Sequence, residues 1–269
     1  MGIMKSGSRW RSACIHRLAF AILFSGVYFT NSTSGHSAEA RFCFNEWRPY
    51  AFVRDGRPVG ISVEIMTAAT RLAKMDAVFT ELPWNRCLAM VRQGELDAVL
   101  DAAKRDEFLQ GPTSYSVYSN TIWVRGDSPV KRLDFPALRN ATIGLVDGYE
   151  YPPELLSKIA AHGIKIEMSV DDSTNLRKLA FDRVQAIVGD YVGTLFEARE
   201  TGLDMRALEP DHSADRLYPS FFRGRAGLQR VIDGALAKLV SDGFVDSVYR
   251  KYVGQSPKSL VKPAARPAN

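Results

Sequence analysis

The sequence predicts an α/β protein of two similar lobes, with mixed sheets flanked by helices and a double-strand hinge between them. Two observations carry this reading. First, residues 87–100 (CLAMVRQGELDAVL) and 175–188 (NLRKLAFDRVQAIV) read as one unit written twice. Leu88 aligns with Leu176, Val91 with Leu179, Ala98 with Ala186, Val99 with Ile187 and Leu100 with Val188. Each copy is a short amphipathic helix, a polar turn and a wholly apolar strand. Such a strand suits a sheet covered on both faces by helices. Second, the apolar segments are ordered so that the chain leaves the first block through 121–124 and re-enters it through 218–222. Two such crossings make a hinge, and a hinge between similar lobes closes around a ligand.

The elements follow in order. Residues 41–44 (RFCF) form the first strand, ending in the loop of Trp47, Pro49 and Tyr50. Asp55-Gly56-Arg57-Pro58 is a turn. Ile61, Ile65, Ala68, Ala69 and Leu72 share one helical face over 61–72. Residues 77–82 form a strand stopped by Pro83, and the first repeated unit ends in strand 98–100. Residues 101–120 read as a polar, turn-rich connection. Strand 121–124 is stopped by Gly126-Asp127-Ser128-Pro129. The second half has strand 141–146, a helix at 152–161 opened by Pro152 and Pro153, and strand 164–168. The second repeated unit, a helix over 192–201, strand 218–222 and helices 228–240 and 244–252 complete the chain. The expected division is 1–40 as a leader, 41–122 with 221–255 as lobe 1, 123–220 as lobe 2, and 256–269 as a disordered tail rich in Pro, Lys and Ala.

The leader is read from Lys5, Arg9, Arg11 and Arg17, then an apolar run over 18–30 and the A-x-A pattern Ala38-Glu39-Ala40. The run is short for a membrane span, so it reads as a cleavable signal peptide with its cut after Ala40. The whole chain has 35 Lys and Arg and 30 Asp and Glu; the leader holds four and one of them, leaving 31 and 29. That balance gives no argument for nucleic acid. The expected protein is exported and soluble, located in the periplasm, with a monomer as the default. Cys43 and Cys87 survive processing and fit either a disulfide or two buried thiols. No cysteine or histidine cluster has metal spacing, and no cofactor or metal is expected. Tyr50 and Trp84, each at the end of an apolar strand, fit aromatic walls of a ligand cleft or plain packing of loop ends.

Beyond this, the chain resembles the type II periplasmic solute-binding proteins of the group serving polar amino-acid ABC transporters. Pro58-Val59-Gly60-Ile61-Ser62-Val63-Glu64-Ile65 is similar to the family's entry into its first helix. Trp84 through Asp97, Arg105 with Phe108, and Ala186-Ile187-Val188-Gly189-Asp190 resemble three further family segments. Val231 to Tyr252, with Ser241-Asp242-Gly243 and Lys251-Tyr252, resembles the family's closing run. The resemblance implies capture of a small polar solute between the lobes and delivery to an inner-membrane ABC permease. It also implies that Arg105 grips a ligand carboxylate through two parallel hydrogen bonds. Asp190 would meet an ammonium group, although Asp there equally suits a helix N-cap. Tyr149 lies after a glycine at an expected helix start, where free backbone amides favour an anion.

The chain departs from that pattern just before the arginine. The family's Ser/Thr-rich stretch is replaced by Asp101-Ala102-Ala103-Lys104-Arg105. Hydroxyls that assist carboxylate binding are absent, and Asp101 and Lys104 add charges that select another polar or charged solute. Two other functions share the scaffold. One is an enzyme resembling cyclohexadienyl dehydratases, with Asp101, Glu107 and Asp190 as available carboxylates; fold analogy alone is a weak warrant for it. The other is a ligand-sensing subunit for a membrane receptor.

Overall fold

The computed structural model describes residues 38–257, without the side chains of 210–212; the expected leader before residue 38 and most of the expected tail lie outside them. The first strand, β1 (Ala38–Phe44), starts three residues before the expected cut. Ala38–Ala40 are paired in register with Met75–Ala77, and Ala40 is fully buried. The A-x-A stretch is therefore also the start of a strand, in which Ala38 and Glu39 are exposed and only Ala40 faces the core.

A hairpin, β2 (Phe52–Arg54) with β3 (Arg57–Val59), leads into helix α1 (Ile61–Leu72). Gly60 caps α1 at φ 123°, and a Cβ there would lie 2.3 Å from the Tyr50 carbonyl oxygen. Only glycine fits that approach. Ile61, Ile65 and Ala69 lie fully buried in one core cluster with Ala68 packed against it, whereas Leu72, expected on the same face at the helix end, is exposed. β4 (Met75–Glu81), α2 (Trp84–Arg92) and β5 (Ala98–Ala102) follow. β1 is parallel to both β4 and β5. Cys43 and Cys87 form a disulfide, Cα–Cα 5.8 Å, that ties α2 to β1.

The second half repeats the plan. β7 (Thr142–Val146) lies parallel to β8 (Lys165–Ser169) and β9 (Ala186–Gly189). Helix α3 (Pro153–Ala161) connects β7 to β8, and α4 (Asp172–Ala180) connects β8 to β9. The second repeated unit is thus α4 and β9, matching α2 and β5. Helix α5 (Tyr191–Thr201) follows, and α6 (Ala226–Ser241) and α7 (Phe244–Val253) return to pack on α1.

The crossings differ from the expectation. Residues 101–120 do not form one polar connection: β6 (Ser116–Arg125) begins inside them. The returning strand β10 (Met205–Phe221) is 17 residues long rather than the expected short segment. The two run antiparallel, Ser116–Asn120 against Ser213–Leu217 and Ile122–Arg125 against Met205–Leu208. β10 then pairs with β5, and β6 with β9. The hydrogen-bonded order is β4-β1-β5-β10-β6-β9-β7-β8, one curled mixed sheet in which two long strands serve both halves. The apolar cores remain divided. Phe42, Ile65 and Leu236 belong to one cluster and Ile143, Leu155 and Leu208 to another.

At the crossing the buried side chains are polar. Ser116, Asn120 and Thr121 are fully buried, and Asn120 donates to Ser213 (3.0 Å) and Asp215 (2.6 Å). Polar pairing keeps these strands in register without a hydrophobic signature.

Candidate functional site

A cavity of about 40 Å³ lies at the seam of the two halves. The first half contributes Asn45, Trp47, Trp84, Asp101 and Arg105 to its walls, and the second contributes Tyr149 and Glu150. Tyr118 and Asp215 reach it from the crossing strands. Trp84 starts α2, and its Nε1 donates across the seam to the Gly148 carbonyl at 2.9 Å. Asn85 donates to Asp147 at 2.7 Å. Arg105 Nη2 donates to the same Gly148 carbonyl at 2.6 Å and pairs with Glu150 at 3.1 Å. A Cβ on Gly148, at φ +78°, would meet Asn85 Oδ1 at 2.1 Å, so this contact requires glycine.

Four aromatic rings form a chain along the cavity. Trp47 and Tyr118 have centroids 5.8 Å apart, Tyr118 and Tyr149 5.7 Å, and Tyr149 and Trp84 5.7 Å, the last two edge to face. Such geometry suits ring quadrupoles. Behind them, Tyr149 donates to Asp172 at 2.9 Å and accepts from Asn45 at 3.1 Å, and Tyr118 donates to Asp172 at 3.3 Å. Burial raises the Asp172 carboxyl to about 7; the Tyr149 bond opposes this, while the Glu197 and Asp190 charges add to it.

Asp101 sits at the end of β5 with φ +55°, in the left-handed region that Asp tolerates better than most residues. Ser62 and Ser116 donate to its Oδ1 at 2.9 and 2.5 Å, and its own amide donates to the Tyr115 hydroxyl at 3.2 Å. Burial raises its carboxyl to about 6, against the bonds from Ser116, Ser62 and Tyr115.

The structure places Arg105, Trp84, Tyr149 and Asp101 on one cavity. Tyr50 and Asp190 stand elsewhere. Tyr50 is buried with its ring stacked on Trp47, centroids 3.8 Å apart, so it supports a wall residue. Asp190 is the N-cap of α5. Its Oδ2 accepts from the Gly193 amide and its Oδ1 from the Ser119 amide, both at 2.8 Å. Its carboxylate is spent on backbone donors at a helix start, the alternative open to it in the sequence. Asn45, Trp47, Tyr118, Glu150 and Asp172 were not singled out as site residues. Tyr118 lies in the segment that reads as a polar loop, and Glu150 and Asp172 gain their meaning only from partners across the fold.

A curled α/β sheet with separate apolar clusters in its two halves and a polar-rimmed aromatic cavity at their seam defines a protein built to enclose a small molecule. The chain belongs to the bacterial extracellular solute-binding proteins, family 3, whose model matches residues 41–255. The probable amino-acid-binding protein YxeM of Bacillus subtilis (strain 168) is 23% identical over 214 residues, covering 77% of this chain and 80% of that one. The L-cystine-binding protein TcyJ of Escherichia coli (strain K12) is 21% identical over 213 residues, covering 77% and 79%. An ancestral arginine-binding protein bound to arginine superposes with a TM-score of 0.73 at 17% identity, covering 81% of this chain and 100% of that one, a likeness of fold.

Proposed function

We propose that this chain is the exported binding component of an ABC transporter and captures one small polar solute, an amino acid or a related compound. A leader within residues 1–40 would send it to the periplasm. Lobe 1 (41–122 with 221–255) and lobe 2 (123–220) would close on the solute and present it, as a monomer, to an inner-membrane permease. The observation that carries this reading is the seam cavity, whose lining comes from both halves and which Arg105 bridges through Gly148 and Glu150. The small size of the cavity fits a closed clamshell, so uptake requires the halves to part. Arg105, Asp101, Trp84 and Tyr149 would touch the solute, with Tyr50 and Asp190 holding the wall behind them. The reading requires no covalent chemistry, and no turnover of prephenate or arogenate is expected.

A thermal-shift screen against amino acids, opines, polyamines and small organic acids tests this. A ligand that binds only the folded state, at 100 times its Kd, adds about 2.7 kcal/mol. For a chain of this size that is a rise in Tm of roughly 5–10 °C. No shift from any compound would contradict a solute-binding role.

A further inference from the structure

The cavity's charges define the solute more narrowly, on the premise that the seam is a solute site. The guanidinium that would grip a ligand carboxylate is already engaged from within the chain. Arg105 meets Glu150 at 3.1 Å, Glu107 at 3.7 Å and the Gly148 carbonyl at 2.6 Å, with only 9% of its side chain exposed. An incoming carboxylate would have to displace Glu150 and tolerate Glu107. The cavity lining carries three carboxylates, Asp101, Glu150 and Asp215, against this single guanidinium. Asp101 is held in place by Ser62 and Ser116, and among the described residues no Lys or Arg pairs with it. A buried carboxylate without a counter-ion is costly unless a cation joins it. The rings of Trp47, Tyr118, Tyr149 and Trp84 line the same space, and aromatic faces attract cations. Arg105 Nε is buried with no hydrogen-bond partner, a donor that a neutral hydroxyl or amide oxygen satisfies without adding charge.

We infer that the solute is an organic cation lacking a free α-carboxylate, its charged nitrogen held by Asp101 beside the aromatic rings while Glu150 stands in for a ligand carboxylate on Arg105. Glu150 is then a specificity-determining residue, and Asp101 the principal ligand contact.

The test uses compounds that differ by the α-carboxylate alone: agmatine against L-arginine, cadaverine against L-lysine, and putrescine against L-ornithine. Each is titrated calorimetrically into the full chain at pH 8. At least one amine is expected to bind tenfold or more tightly than its amino acid. Asp101→Asn, checked for folding by its melting curve, is expected to weaken that amine at least tenfold. Glu150→Gln, at a largely exposed side chain, is expected to narrow the amine preference by freeing Arg105. An amino acid that binds as tightly as its amine overturns the inference and leaves the solute-binding reading standing. So does any carboxylate-bearing solute that binds while all the amines are silent. Silence from every compound in the wider screen defeats both.

Discussion

Replacing Cys43 and Cys87 with serine is expected to lower the unfolding free energy by about 4 kcal/mol. The bridge spans a sequence separation of 44 residues. Constraining a loop of that size in the unfolded chain contributes about 4 kcal/mol in the chain-entropy account. The native side adds to the loss, because both sulfurs are fully buried in the cluster that holds Leu88, Val91 and Val99. Urea unfolding of the wild type with and without reductant, beside the double variant, measures this. The reduced wild type should show a lowered midpoint, and the variant a midpoint at or below it. A loss below about 1 kcal/mol would show that packing alone holds α2 on β1. The effect reaches the site, since α2 carries Trp84 and Asn85, which contact Gly148 and Asp147 across the seam.

Stability is also expected to fall as pH rises from about 4 to 7, and Asp172→Asn should remove about half of that fall. Burial holds the Asp172 carboxyl at about 7 in the folded chain, against 3.8 without its surroundings. A raised carboxyl means that the folded state keeps a proton the unfolded state has released. Its contribution is therefore fully present below the unfolded value and is lost as pH climbs through the folded one. Three units correspond to roughly 4 kcal/mol, which partial solvent access reduces to about 3. Asp101, raised to about 6, acts in the same direction, as do Glu197 and Glu81, which burial also raises. Asp127 and Asp242, lowered by Arg125 and Lys238, lie on the surface and oppose it weakly. Urea midpoints at pH 4.5 and pH 8 provide the check. At pH 8 the Asp172→Asn chain should be the more stable of the two, and at pH 4.5 the two should nearly coincide. An unchanged pH slope in the variant would assign the fall to other groups.

The parts of the fold that follow a period were legible in the sequence. The duplicated unit is present as α2–β5 and α4–β9, because an amphipathic helix before an apolar strand leaves a clear hydrophobic pattern. The crossing strands were only half visible. Ser116, Asn120, Ser213 and Asp215 form strand pairs with polar side chains, so the segment carries the composition of a loop. Site residues followed the same division. Arg105, Trp84 and Tyr149 line the seam cavity, although Tyr149 lies four residues before α3 rather than at its start and its amide donates to the Val146 carbonyl. The role of Asp190 turned on local geometry, a choice between a ligand and two backbone amides that composition does not make. Glu150 was invisible because its partner, Arg105, lies 45 positions earlier and meets it only across the seam.

Under the proposed function, one solute is enclosed between the two halves. Amide hydrogen exchange, with and without a saturating hit from the thermal screen, tests it most directly. Enclosure should bring new protection in the first half at 44–50, 84–88 and 101–105 and, in the same experiment, in the second half at 147–151. Protection confined to one half, or centred instead on the outer groove between α1 and α7 near Glu64 and Tyr252, would contradict it.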